Sequence, residues 1–410
     1  MKRFILKRKT KSSTGVTQRR RDYAGPAVFS YGFRPFFFAA GVWASVGMLL
    51  WLPQYFGLFM LPTYFSALDW HIHEMFYGYV AAAIAGFLLT AIPNWTGRTP
   101  INGPPLVCLV FLWLGGRIAI LLSAKIGGAV AASVDASFLI ALAAVAGGEI
   151  IAARNWRNLR VLAVLTVLIV GNITFHLEVL FTGTANYGIR IAIAAVIGLI
   201  ILVGGRIVPS FTNNWLIRNN PGRLSVPFSR FDVVTVGAST LALVAWIATP
   251  THSFTGVLML LSGILQSIRI ARWAGHRTTA DRLVLVLHLG YVFVPIGFLF
   301  LGIAAFLPQI PISAGVHAWT AGAVGLMTVA VMTRATLGHT GQALQAGWVT
   351  QTIYALILVA AVLRIIAAFN GSTELLEFSG AAWFIGFGCF AVSYGRLLIL
   401  RSRTDLKSAC

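Results

Sequence analysis

Acidic residues are scarce: the 410-residue chain has 11 Asp and Glu against 31 Lys and Arg. Charged residues of both signs make up only 10% of it, where a soluble domain averages about 25%. That shortage excludes a water-soluble globule, because a chain that is 58% apolar cannot cover its hydrocarbon with so few polar groups. Cysteine is nearly absent as well. Cys108 and Cys389 fall inside apolar runs and Cys410 ends the chain; none belongs to a CxxC pair, which excludes a disulfide framework and a c-type haem attachment motif. No small-residue cleavage site follows the Arg19-Arg20-Arg21 run, so the apolar segment after it reads as a first membrane helix rather than an export signal.

Long apolar runs are abundant, and the mean hydropathy is +0.83. A bilayer core about 30 Å thick needs roughly 20 apolar residues per helical crossing. Runs of that size lie at 35–52, 71–92, 104–123, 128–151, 159–180, 188–210, 232–249, 253–273, 283–306, 313–336, 350–368 and 376–400. The expected fold is therefore an all-α membrane protein of about 12 transmembrane helices. Residues 1–28 read as a basic, disordered tail, 29–402 as the polytopic domain, and 403–410 as a second short tail.

The net charge of +20 does not point to nucleic acid, because the basic residues sit in short stretches between apolar runs. If the N-terminal tail is cytoplasmic, 27 of the 31 Lys and Arg fall on that side; the exceptions are Arg117, Lys125, Arg190 and Arg364. This alternation follows the positive-inside rule and places both termini in the cytoplasm. Membrane lipids are then partners, and anionic headgroups attract the N-terminal tail. Runs 2, 6 and 10 also end in small polar stretches, PNWTGR (93–98), PSFTNNW (209–215) and MTRATLGHTG (332–341). Their spacing suggests three units of four helices.

Ionisable groups at membrane depth are expensive and mark candidate sites. The expected topology puts His71, His73, His176 and His317 at one level near the outer surface, with Glu74 and Glu178 beside them. His288 falls in the inner part of the ninth run and His339 just past the inner end of the tenth. On a regular helix His71 shares a face with Glu74, Met75, Gly78 and Ala82, while His73 points about 160° away with Tyr77. The two cannot grip one metal unless the helix starts after His71. Likewise His317 shares a stripe with Ala321, Val324, Thr328 and Ala335. Imidazole is the commonest metal ligand and holds b-type haem between helices. The thioethers of Met75, Met327 and Met332 would suit copper. For each histidine taken singly, an interhelical hydrogen bond is the competing reading. Arg117 and Arg364 are candidate anchors for haem propionates; the alternative is ion pairing with Asp135, Glu178 or Glu374.

The stretch HIHEMFYGYVAAAIAGFLLTAIPNWTGR (71–98) resembles the NnrS family of bacterial membrane proteins, and so do SYGFRPFFFAAG (30–41), GGRIVPSFTNNWL (204–216) and AVMTRATLGHTG (330–341). The matching positions are His71, His73, Glu74, Met75, Arg206, Asn213, Asn214, Arg334 and His339. The resemblance implies a haem b- and copper-containing protein of the bacterial cytoplasmic membrane, tied to nitric oxide metabolism, denitrification and relief of nitrosative stress, with no settled reaction. Two other readings stay open at this point: a proton-coupled secondary transporter using intramembrane His and Glu, and a subunit that assembles a respiratory-chain partner. A haem–copper oxidase core is disfavoured, since the chain lacks an adjacent His-His pair.

Overall fold

A computed structural model describes residues 23–401. The tail expectations at 1–22 and 402–410 lie outside the described residues. Within them the protein is helical, with no strand, and twelve helices are long and apolar enough to cross a membrane. They are α1 (Phe33–Tyr55), α2 (Ala67–Thr96), α3 (Pro104–Leu121), α4 (Gly128–Ala152), α5 (Trp156–Thr182), α6 (Tyr187–Asn219), α7 (Arg230–Ala248), α8 (Ser253–Arg277), α9 (Arg282–Ala304), α10 (Ile312–His339), α11 (Trp348–Asn370) and α12 (Thr373–Ile399). Each coincides with one expected run. The largest difference is at α6, which runs on to Asn219 through a polar stretch that hydropathy does not count as membrane.

An even number of crossings returns the chain to the end it started from. Arg401 donates hydrogen bonds of 3.1 Å to the carbonyls of Tyr23 and Gly25, so the two described ends of the chain meet. Nearby, buried Arg34 at the start of α1 donates to the carbonyls of Leu397 (3.1 Å) and Leu400 (2.9 Å) at the end of α12. A helix leaves its last four carbonyls without intrahelical donors, and this arginine supplies some of them.

The first helix of each four-helix unit packs on the last helix of the unit before it: α5 on α4, α9 on α8, and α1 on α12 to close the ring. The second helices lie innermost. Of their most apolar windows, 83% is buried in α2, 61% in α6 and 67% in α10, whereas most other helices bury 33–39% and give the remainder to lipid. Helix α9, at 67%, is the one other deeply buried helix.

Helices α2, α6 and α10 also share a departure from α geometry. Each contains a π-helical segment, at Glu74–Val80, Ile200–Gly204 and Ala318–Val324. Such segments are rare and gather at functional sites. Residues four apart on an α-helix drift by about 40° per step around the axis, and the wider π turn counteracts the drift. Rows spaced by four therefore stay aligned: His71, Met75 and Tyr79 on α2, and Val316, Thr320 and Val324 on α10, all line one cavity. A π turn frees backbone carbonyls, and neighbouring side chains fill the vacancy. Trp113 Nε1 donates to the Gly78 carbonyl (2.9 Å), and Arg269 Nη1 to that of Ile201 (3.2 Å).

Candidate cofactor cavity and histidine cluster

Helix α2 begins with a cap. The hydroxyl of Ser66 accepts the Asp69 backbone N–H at 3.0 Å, and Ala67 is the first helical residue. His71 and His73 thus both lie on the helix, and their side chains diverge into two sites.

His71 faces a cavity of about 480 Å³ bounded by α1, α2, α6, α10, α11 and α12. That volume falls within the range of about 300–1,000 Å³ usual for small-molecule and cofactor sites. The walls are mostly apolar, and the polar groups among them are few. His317, Met75, Tyr79, Thr320 and Arg364 join His71 there. Trp51 stacks on the His71 ring with centroids 3.9 Å apart and planes 23° apart, which fixes the ring's orientation. His71 Nδ1 is buried without a hydrogen-bond partner. The ring of His317 is held differently: Nδ1 lies 2.7 Å from the Ser313 carbonyl, so it carries the hydrogen and leaves Nε2 as the acceptor. His71, His317 and Arg364 all line this one cavity. No ion pair or hydrogen bond engages Arg364 among the described residues. Glu374, one of its anticipated partners, bonds to the Ser372 hydroxyl instead (2.7 Å).

His73 turns the other way, into a buried cluster between α2, α3, α4 and α5. Its Nε2 lies 3.2 Å from Asp135 Oδ2 on α4, and His176 Nε2 on α5 lies 3.2 Å from the same oxygen. The two rings are 5.0 Å apart. Each carries a partner on its other nitrogen: Glu74 Oε1 at 3.0 Å from His73 Nδ1, and the Tyr64 hydroxyl at 2.8 Å from His176 Nδ1. Arg117 spans the two carboxylates, donating from Nη1 to Glu74 Oε1 at 2.6 Å and from Nη2 to Asp135 Oδ1. Trp43 Nε1 donates to Glu74 Oε2 (2.7 Å), and Asn172 Nδ2 to Asp135 Oδ2 (2.7 Å). His73, Glu74, Arg117, Asp135 and His176 are all at most 3% exposed.

The four histidines expected at one depth therefore divide into two pairs, His71 with His317 and His73 with His176. The divergence of His71 and His73 follows from helical periodicity, as expected. The π segment alters the rest of the expected face: Glu74 joins the His73 cluster, and Gly78 packs under Trp43 with its carbonyl bonded to Trp113. Arg117, considered as a propionate anchor, has both terminal nitrogens occupied by Glu74 and Asp135. Glu178 stands apart from both sites; its carboxylate accepts the backbone N–H groups of Asn186, Tyr187 and Gly188 at 2.8–2.9 Å and caps the start of α6.

The other candidates are elsewhere. His288 Nε2 pairs with the Thr212 hydroxyl (2.8 Å) in the opposite half of the bundle, and His339 packs between Tyr31 and Phe33 at the opposite end. Arg334 lies over the Phe211 ring at 4.2 Å, Asn213 accepts the Ser225 N–H at 2.8 Å, and Arg206 Nη1 reaches Asn158 at 3.4 Å. Met327 and Met332 line a smaller apolar chamber between α1, α2, α6 and α10, away from the histidine pairs. Sequence reasoning had Asp135 only as an ion-pair partner of Arg117, and did not single out Tyr64 or Asn172. A lone intramembrane Asp was the one available signal.

No curated protein matches the chain. The family model described as NnrS protein matches residues 27–402, taking in all twelve helices and both histidine sites, and this multi-pass membrane protein accordingly belongs to the NnrS family.

Proposed function

We propose that the protein binds haem b in the His71–His317 cavity and uses it to bind nitric oxide, in keeping with the tie between its family and nitric oxide metabolism. The observation that carries this reading is the convergence of two imidazoles and an unpaired guanidinium in one largely apolar cavity. The residues fit the group. A haem needs one or two neutral ring nitrogens, an apolar slot for the macrocycle, and a cation for its propionates. His317 has Nε2 free to ligate, because its Nδ1 hydrogen is given to Ser313. Trp51 stacking holds the plane of His71, and Arg364 is the cation.

A haem bound there would be held by His71 and His317 and would supply an iron at which nitric oxide could bind. The protein's part is to hold the two rings, exclude water with the Ile189, Ile193 and Val316 walls, and fix the propionates through Arg364. Copper, the second cofactor implied by the family, has the thioethers of Met48 and Met75 in this cavity. The harder donors lie in the His73–His176 cluster. The secondary-transporter reading calls for broken helices at mid-membrane, whereas the π turns keep α2, α6 and α10 continuous.

The test is the optical spectrum of protein purified from cells supplied with haem precursors. A Soret band that shifts on addition of nitric oxide is expected, with His71→Ala or His317→Ala abolishing or displacing it. A folded wild-type protein with no Soret band and no iron ends the proposal.

A further inference from the structure

The geometry points to a separate binding site for one divalent transition-metal ion, formed by His73 Nε2, His176 Nε2 and Asp135 Oδ2. We infer it from the donor cluster, and it does not depend on a haem in the neighbouring cavity.

The three donor atoms all lie within 4.8 Å of one another. Ligands held about 2.1 Å from a tetrahedral ion stand roughly 3.4 Å apart, and both imidazole nitrogens are already 3.2 Å from the carboxylate oxygen. The outer shell is also in place. Metal-bound imidazoles use their second nitrogen on a carboxylate or another oxygen, which sets tautomer and ring direction. Glu74 serves His73 in this way, and the Tyr64 hydroxyl serves His176.

Unsatisfied groups supply the second observation. His73 Nε2, though near Asp135, is not aligned for a hydrogen bond and has no partner. The Tyr77 hydroxyl is also buried without a partner; its ring is 4.9 Å from that of His73, and a side chain at Gly171, beside Asn172, would meet its oxygen at 3.1 Å. Buried polar groups are rarely left unpaired. An ion between the imidazoles would use His73 Nε2.

Charge balance agrees. Two buried carboxylates share one guanidinium, so one negative charge is left over if both imidazoles are neutral. A divalent ion or a proton on one histidine must compensate, because an unpaired buried charge is strongly disfavoured. The donor set also selects the metal. Two imidazoles and a carboxylate, with no sulfur, suit Zn²⁺, Cu²⁺ or Fe²⁺ and not Cu⁺. Met75, the nearby thioether considered for copper, faces the other cavity.

Tag-free full-length protein in detergent, stripped with EDTA and then equilibrated with CuCl2 or ZnCl2, tests the site. One tightly held ion per chain is expected, with nitrogen hyperfine coupling from two imidazoles in the Cu²⁺ paramagnetic resonance spectrum. Tyr64→Phe, which keeps the ring and removes only the outer partner, should weaken affinity about 10–100-fold. His176→Gln should remove one nitrogen coupling. Neither variant should change the Soret band, whereas His71→Ala should alter that band and leave the ion in place. Folded wild-type protein that retains no ion overturns the inference and shows that a proton balances the cluster. A copper spectrum with the same nitrogen coupling in Tyr64→Phe at unchanged affinity overturns it as well.

Discussion

Replacing Arg117 by Met gives a direct measure of how the histidine cluster is held. Methionine keeps most of the side-chain length and removes the guanidinium, which is 3% exposed and bonds to two carboxylates, Glu74 and Asp135, that are themselves 0% and 2% exposed. Removing one partner of a single buried ion pair costs about 3–5 kcal/mol. Here one cation serves two anions, so the metal-free protein should lose stability near the upper end of that range, about 5 kcal/mol. Adding Glu74→Gln to Arg117→Met removes one of the two stranded charges. The double variant should be more stable than the single one, with a coupling energy of about 1–3 kcal/mol. A bound divalent ion supplies positive charge to Asp135, so saturating Zn²⁺ should narrow the gap between Arg117→Met and wild type. Equilibrium unfolding in mixed detergent and SDS micelles, followed by tryptophan fluorescence, measures all three. An Arg117→Met variant within 1 kcal/mol of wild type, or a double variant no more stable than the single, would refute the account of the cluster as a charge-balanced buried network.

Three further outcomes are expected. Arg364→Ala removes the one cation of the cofactor cavity and should speed loss of bound haem about tenfold or more, the equivalent of one hydrogen bond to a charged group at about 1.5–3 kcal/mol; transfer of haem to apomyoglobin gives the rate. Gly78→Ala puts a methyl group into the Trp43 indole, whose N–H bonds Glu74. Overpacking of this kind costs about 1–3 kcal/mol, and a lowered unfolding midpoint together with altered Trp43 fluorescence would register it. Fusion of green fluorescent protein to Cys410 should fluoresce and fusion of alkaline phosphatase should stay inactive, since the positive-inside rule applied to the Lys and Arg distribution predicts a cytoplasmic location for that end. The reverse pattern would invert the bundle.

Hydropathy made the twelve helices legible because each crossing must satisfy its own backbone hydrogen bonds within the membrane. The even count puts the two ends of the helical bundle on one side, and Arg401 against Tyr23 and Gly25 brings the two described ends together there. Spacing also separated His71 from His73, since residues two apart on a helix point nearly opposite ways. Depth alone then put His176 and His317 in one pool with them, which it could not divide. Depth is a coordinate along the membrane normal, and the partition of the pool depends on position around the bundle.

From composition and pattern alone came the membrane solvent, the number and approximate positions of the helices, the polar residues worth following, and the motifs through which the family is recognised. Three things came only from tertiary structure. The π turns of α2 and α10 line His71, Met75 and Tyr79 up with Val316, Thr320 and Val324 along one cavity, and in α2 it is Trp113, from neighbouring α3, that donates to the Gly78 carbonyl of the widened turn. The choice of Arg117's partners was also made there, since Glu74 and Asp135 are 43 and 18 residues away in sequence and meet it only when α2, α3 and α4 pack. So was the pairing of His73 with His176 around Asp135, because which faces of three separate helices converge is set by how their side chains interlock and leaves no periodic trace in any one of them.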